Sequence, residues 1–312
     1  MSNRAGRSGD GPGDAAARLT GRAVAGVRGV TGALSEAVLD DGRVVMVKRG
    51  EGRDAVRAEA AGLRWLAAPG ALRVPRIHGE DGDWLVTERV PAGRATREAA
   101  VRLGGGLAAL HSAGAPAFGA PPPGGPRDAY IGAAPMHNGP AAGPDDAPDD
   151  DRGGDRGGDR AGDWPRWYAE QRVLPYVRRA ADAGTVRPAE ARVFEALCER
   201  LPVLAGPPEP PARLHGDLWN GNVLWGAGGE PWVIDPAAHG GHRETDLAML
   251  RLFGCPYLDV VLEAYQGAAP LADGWAGRVG LHQLFPLLVH AVLFGRGYAE
   301  QALGVARSAL GR

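Results

Sequence analysis

The chain has 312 residues, 44% of them hydrophobic and 23% charged, with 35 basic against 37 acidic side chains. That length suits one large domain or two lobes, each with its own core. The net charge of −2 argues against a broad phosphate-neutralising surface and so against general nucleic-acid binding. Cys198 and Cys255 are the only cysteines, and their wide spacing speaks against a disulfide framework or a thiolate metal site.

The opening residues, 1–14, are Gly/Arg/Asp-rich and read as a flexible leader with no signal-peptide core. Between Leu19 and Val90, apolar runs at Val44–Val47 and Trp84–Val86 follow Asp41-Gly42 and Asp81-Gly82, the signature of antiparallel strands joined by tight turns. Arg53–Leu66 reads as a helix between them. Residues 15–90 are therefore expected to form a small sheet-rich lobe. From residue 91 to 312 the pattern is mainly helical, over Glu98–Ser112, Trp164–Asp182, Pro188–Leu201, Asp246–Phe253, Leu258–Tyr265, Trp275–Phe294 and Tyr298–Leu310. One small strand pair, Val223–Trp225 and Trp232–Ile234 around Gly226–Gly229, interrupts it. The segment 139–162 carries Arg-Gly-Gly-Asp-like repeats and almost no large apolar side chains, and is expected to be a disordered insertion. It lacks the glutamate and spacing of a calcium loop. The apolar run Leu284–Gly295 is too short to cross a bilayer and holds His290, so a soluble cytoplasmic protein without membrane contact is expected.

The residues with chemistry cluster in Leu214-His215-Gly216-Asp217-Leu218-Trp219-Asn220-Gly221-Asn222 and in Val233-Ile234-Asp235-Pro236. The hairpin returns Asp235 to the neighbourhood of Asn222. Two oxygen ligands beside a third carboxylate suit Mg²⁺, with Asp217 left to orient a hydroxyl and take its proton during phosphoryl transfer. Singly, each of these is also an ordinary turn residue; as a string with His-Gly-Asp they point to a site. Lys48 closes the strand Val44–Val47, and Glu59 falls on the apolar stripe of the following helix, where a carboxylate is costly without a partner. A lysine–glutamate pair that holds ATP phosphates has this layout; a surface Lys and a stripe-edge Glu fit the same letters. Gly29–Ser35, with Gly32 and Ser35, forms a hairpin tip open to phosphates. Glu88, Arg89 and Val90 join the lobes and could present backbone to adenine or serve only as linker. His215 reads as a loop-holding residue. His239 and His242, three apart, have no third ligand at useful spacing, which argues against zinc. Trp164, Trp167 and Tyr168 read as packing, Trp219 as a wall of the acceptor pocket.

Together, Leu214–Asn222, the run Val233–Leu250 (VIDPAAHGGHRETDLAML), Tyr130–Asn138 (YIGAAPMHN), Asp163–Arg172 (DWPRWYAEQR) and Leu281–Tyr298 (LHQLFPLLVHAVLFGRGY) resemble the fructosamine (ketosamine-3-) kinase family. The resemblance spans roughly Val24 to the C-terminus without the insertion. It implies an α+β, bilobal protein-kinase-like fold with a small antiparallel-sheet N-lobe and a larger helical C-lobe. It also implies ATP- and Mg²⁺-dependent phosphorylation of the 3-hydroxyl of ketosamines, small or protein-bound, a step toward deglycation and protein repair. By position, Asp217 is the base and Asn222 and Asp235 hold Mg²⁺. Lys48 with Glu59 holds phosphates, with Gly32 and Ser35 above them, and Glu88–Val90 is the adenine hinge. Trp219, His239 and Arg243 are candidates for the substrate pocket, and Asp246 for a buried structural carboxylate. Ala33-Leu34 stands where relatives often have Cys-Ile, which removes the thiol for a redox switch; Asn220 and His239 also depart from the common residues and bear on acceptor preference. Rival readings are another small-molecule kinase, for aminoglycosides or choline, or an inactive kinase-like binding module.

Overall fold

The computed structural model describes residues 10–52, 54–140 and 163–311. Most of the leader (residues 1–9) and all of the proposed insertion except 139 and 140 lie outside them. Within the leader stretch, however, a helix α1 (Pro12–Thr20) already begins, with Pro at its first turn. It is not a free tail. Ala15 and Ala16 are fully buried against Ala37, Leu39, Val45, Val47 and Val86 of the adjoining sheet.

That sheet has five antiparallel strands, β1 (Val24–Thr31), β2 (Leu34–Leu39), β3 (Val44–Arg49), β4 (Ile77–Glu80) and β5 (Trp84–Glu88), ordered β1-β2-β3-β5-β4. The Asp41-Gly42 turn joins β2 to β3, with Gly42 at φ +83°, a conformation that favours glycine. Period-2 alternation then decides the faces. Val45 and Val47 enter the α1 side, so Met46 and Lys48 point to the other. On that other side lies α2 (Ala55–Ala67), which packs Val56, Ala60 and Leu63 on Leu85.

The C-terminal part is mainly helical. Helices α3 (Arg97–Ser112) and α8 (Leu258–Ala268) cross closely enough that a Cβ on Gly104 would lie 2.2 Å from the Val261 carbonyl oxygen. A segment of α4 (Trp164–Tyr168), a π-helical turn (Ala169–Val173) and α5 (Leu174–Asp182) replaces the single helix expected over Trp164–Asp182. With α6 (Pro188–Leu204), α7 (Glu244–Phe253), α9 (Trp275–Phe294) and α10 (Arg296–Leu310), it builds the largest core. Helix α9 is long and apolar enough to span a bilayer. It is a core helix instead: Leu284, Phe285, Leu287 and Leu288 are buried and Arg278 is ion-paired to Glu244.

Among the described residues, three two-stranded ladders appear where sequence alone indicates one. The expected hairpin is β9 (Val223–Trp225) with β10 (Pro231–Val233). The others are β6 (Asp128–Ile131) with β7 (Ala134–His137), and β8 (Ala212–Leu214) with β11 (His239–Gly241). Each three- or four-residue strand is too short to show alternation. The lobes are stitched by backbone: Gly93 N–H donates to the Trp225 carbonyl (2.7 Å), Ala227 N–H to that of Pro91 (3.0 Å) and Val233 N–H to that of Arg73 (2.9 Å).

Candidate active site

The loop after β8 is built around one buried carboxylate. Asp246, in the first turn of α7, accepts the backbone N–H of His215 (2.8 Å) and of Gly216 (2.9 Å), and the side chain of His111 (3.2 Å). Burial pushes the Asp246 carboxyl up, but His111 and the Gly216 N–H are among the groups that more than offset this and hold it below the usual range. Gly216 sits at φ +82°, and a Cβ there would fall 2.1 Å from the Ala237 carbonyl oxygen, so the residue before Asp217 has to be glycine. His215 is buried, and burial lowers its pKa, leaving the imidazole neutral. Its Nε2–H donates to the Ile234 carbonyl (2.9 Å) while Nδ1 accepts the Asp217 N–H (3.3 Å). The imidazole therefore ties the Asp217 loop to the strand leading into Asp235.

From this loop the Asp217 side chain meets Asn222, which closes a short 3-10 turn (Asn220–Asn222). The Asn222 amide donates to the Asp217 carbonyl (2.8 Å), to Asp217 Oδ2 (3.0 Å) and to the Asp235 carbonyl (3.5 Å). That use of Nδ2 leaves Oδ1 as an acceptor. Asp235 has φ +51°, a left-handed conformation costly for a non-glycine residue. Its Oδ1 lies 3.1 Å from Lys48 Nζ, which is 2.8 Å from Glu59 Oε2. Burial draws the Lys48 pKa down, but Glu59 and Asp235 outweigh it and hold the ammonium above its ordinary range. Burial likewise pushes the Glu59 carboxyl upward against the pull of Lys48. Asp217 is raised to about 7, first by burial and then by the charges of Asp235 and Asp246, against the Asn222 hydrogen bond and the charge of Lys48. Lys48, Glu59, Asp217, Asn222 and Asp235, drawn from four separate elements, thus meet at one point between the lobes.

Two cavities flank that point and share Lys48, Glu59, Leu85 and Asp235 as a common wall. One, of about 280 Å³, runs beneath Thr87, Glu88, Arg89 and Val90 between Met46 and Ile234. Arg89 is paired with Glu36 (2.7 Å) and Glu88 faces Arg76 at 4.0 Å, so it is the backbone of this segment that remains to face a ligand. The other, of about 410 Å³, is lined by Asp217, Trp219, Tyr130, Glu51, His290 and Phe294, among others. Trp219 is 40% exposed and Phe294 68%. His290 donates Nδ1–H to the Pro286 carbonyl (2.7 Å), which leaves Nε2 as an acceptor.

Gly32 stands at the turn between β1 and β2 and Ser35 within β2, but neither lines a cavity; Ala33 and Leu34 of the same hairpin do. His239 and Arg243 are not in the acceptor cavity at all. His239 is buried in β11, bonded to the Ala237 carbonyl (2.9 Å) and held neutral by burial and by Arg172, which bring its pKa to about 3. Arg243 is engaged by Glu209 and the carbonyls of Ala269 and Pro270. The short β11 strand turns both away from the cleft. Conversely, Tyr130, Glu51, His290 and Phe294 were not legible as site residues; His290 stood out only as a polar residue in an apolar run.

His242 does gain the neighbours its spacing lacked, Glu244 and His282. Yet His242 Nδ1 already accepts the Glu244 N–H (3.2 Å), so its proton sits on Nε2, and Arg278 engages both Glu244 oxygens. The group is a buried hydrogen-bond network rather than a ready metal site.

A model of the fructosamine kinase family matches residues 30–142 and 159–311. The chain belongs to this family. It is 35% identical over 257 residues to a probable ketoamine kinase of Synechocystis sp., covering 79% of this chain and 75% of that protein. A crystal structure assigned to a fructosamine-3-kinase of Thermobifida fusca superposes with a TM-score of 0.83 at 47% identity, over 96% of this chain and 98% of that one. A macrolide 2′-phosphotransferase of Brachybacterium faecium, at 18% identity and a TM-score of 0.56 over 94% and 96% of the two chains, shares the protein-kinase-like fold.

Proposed function

We propose that this fructosamine kinase family member transfers the γ-phosphoryl group of ATP to the 3-hydroxyl of ketosamines, the adducts that sugars leave on amines. The carrying observation is the convergence of Lys48, Glu59, Asp217, Asn222 and Asp235 where two cavities meet. The smaller cavity suits adenine against the Glu88–Val90 backbone, and the larger suits the acceptor. Lys48, oriented by Glu59, neutralises phosphate oxygens; such transfer needs alignment and charge neutralisation more than covalent help. The β1–β2 hairpin, which reaches the cavities through Ala33 and Leu34 rather than Gly32 and Ser35, would cover the phosphates.

Asn222 Oδ1 and Asp235 offer hard oxygen donors, the set that suits Mg²⁺, and they are the residues that would hold it. When bound, the ion supplies charge neutralisation on the transferring phosphoryl group. Asp217 orients the acceptor hydroxyl and takes its proton as the new O–P bond forms, and Trp219 packs on the acceptor. Beyond the carboxylates of the convergence point, Glu51 is the only one lining the larger cavity among the described residues. One acidic group fits an acceptor with one amine and disfavours polycationic antibiotics. A phosphate at C3 is set to leave once C1 loses a proton, so the product is an adduct primed to release its amine. The reading places the protein where ATP and Mg²⁺ are kept, in the cytoplasm.

An ATP-consumption panel tests it: fructosyl-lysine, ribulosyl-lysine, free sugars, choline and an aminoglycoside. Turnover with the adducts alone is expected; turnover only with choline or the antibiotic overturns the reading.

A further inference from the structure

The acceptor cavity opens between residues of both lobes that the fold itself does not bury. From the C-terminal lobe comes Phe294, the last residue of α9. Gly295 follows at φ +89° and ends the helix, so the ring stands on a corner with 68% of its surface exposed. A large apolar side chain left in water lacks the burial that stabilises most aromatics. The ring is not isolated, however. It lies 5.4 Å from the His290 ring, which is 4.9 Å from that of Phe253, and Phe253 stands edge-on to Trp219 at 6.2 Å. A continuous aromatic surface thus runs from beside the Asp217 loop out to the mouth of the cavity.

From the N-terminal lobe comes Glu51, in the loop between β3 and α2. The next residue, Gly52, sits so close to Tyr130 that a Cβ would fall 2.5 Å from its ring and hydroxyl. That contact seats the loop on a second wall residue of the same cavity. Glu51 is exposed, and its carboxylate has no hydrogen bond or ion pair among the described residues. The mouth therefore offers one carboxylate from the small lobe and one aromatic face from the large one, neither of them engaged by the fold.

The chemistry of the acceptor says which half of it reaches this mouth. With the 3-hydroxyl at Asp217, the nitrogen sits two carbons away on C1, and whatever carries that nitrogen has to leave through the opening. In a lysine adduct the nitrogen is a secondary ammonium on a methylene stem. An aromatic face suits both parts, since methylenes pack on it and a cation is drawn to its ring; a carboxylate suits the charge. We propose that Phe294 and Glu51 read the amine half of the ketosamine: the ring packs on the methylene stem of a glycated lysine, and the carboxylate pairs with its ammonium. The inference deepens the ketosamine reading and rests on it. The preferred acceptor is then a lysine side-chain adduct presented on a peptide or protein, rather than the adduct of a short amine.

Steady-state kinetics of the full chain with ATP and Mg²⁺ test it on two adducts: a peptide carrying Nε-fructosyl-lysine, and 1-deoxy-1-methylaminofructose, which has the cation but no stem. Phe294→Ala is expected to raise KM for the lysine adduct about ten-fold and KM for the methylamine adduct less than about two-fold, with kcat kept. Phe294→Tyr, which keeps the ring, is expected to restore the lysine-adduct KM. Glu51→Gln is expected to raise KM for both adducts about three-fold and to flatten the increase of KM with added KCl that the wild type should show. Equal effects of Phe294→Ala on the two adducts, or no effect on either, overturn the assignment of the ring. Glu51 is exposed and glutamine has its shape, so Glu51→Gln decides even if Phe294→Ala does not fold. An unchanged KM with an unchanged salt response overturns the assignment of the carboxylate. A wild type inactive on both adducts but active on another acceptor counts against the ketosamine reading itself, and the amine clamp falls with it.

Discussion

Replacing Asp217 by asparagine is expected to abolish phosphoryl transfer while stabilising the fold at alkaline pH. The buried setting lifts this carboxyl from its ordinary value of 3.8 to about 7. In the folded protein its charge is therefore disfavoured relative to the unfolded chain. The linkage sign follows: below pH 4 the group is neutral in both states and costs nothing, the cost grows as pH rises from about 4 to 7, and it is constant above. At about 1.4 kcal/mol per pKa unit the displacement bounds this cost near 4 kcal/mol; since Asp217 is only partly shielded from water, solvent screening reduces it to about 1–3 kcal/mol. Asparagine has the same shape, carries no charge, and can still accept the Asn222 amide at Oδ1. Thermal unfolding should thus show Asp217→Asn melting higher than wild type at pH 8 and converging with it near pH 4. The coupled assay should show kcat down about 10²- to 10⁴-fold with ATP affinity largely kept. A variant that melts no higher at pH 8, or that keeps near-normal turnover, refutes the assignment of burial-stressed base.

Several neighbouring residues give sharper contrasts. Asp235→Ala should lose the magnesium-dependent part of nucleotide affinity, read by calorimetry with and without Mg²⁺; equal titrations would remove Asp235 from the ligand set. Trp219→Ala, which empties one wall of the acceptor cavity, should raise KM for the ketosamine about ten-fold while leaving KM for ATP near wild type. The pH profile of kcat/KM should rise as pH passes through about 7, where free Asp217 ionises, and a profile flat from pH 5.5 to 8.5 would contradict this. Gly216→Ala should cost both stability and activity, since its Cβ would meet the Ala237 carbonyl; a fully active, equally stable variant would show that the loop tolerates the contact.

The lysine–glutamate pair could be read from letters because two simple periodicities govern it. Alternation along β3 sends Lys48 to the face opposite Val45 and Val47, and the helical stripe of α2 brings Glu59 to meet it. The Asn222–Asp235 approach was equally readable, since a tight hairpin joins them. His239 and Arg243, which the family resemblance puts among the pocket candidates, lie away from the substrate because the β8–β11 ladder reverses the chain there. That ladder pairs three residues with three across about 25 positions of chain, and no local pattern encodes it. The far wall of the acceptor cavity has the same origin: Tyr130 comes from β6 and His290 and Phe294 from α9, brought together only by core packing. Helix α1 escaped notice because glycine and arginine dominate the letters before it.

The account rests on a single magnesium nucleotide held between Lys48, Asn222 and Asp235 with Asp217 facing the acceptor. A crystal structure of the chain with Mg²⁺ and a non-hydrolysable ATP analogue tests it most directly. Adenine under the Glu88–Val90 backbone, phosphates at Lys48 and the ion on Asn222 and Asp235 is the predicted arrangement. A nucleotide bound elsewhere, or phosphates lying away from Lys48 and Asp235, would contradict it.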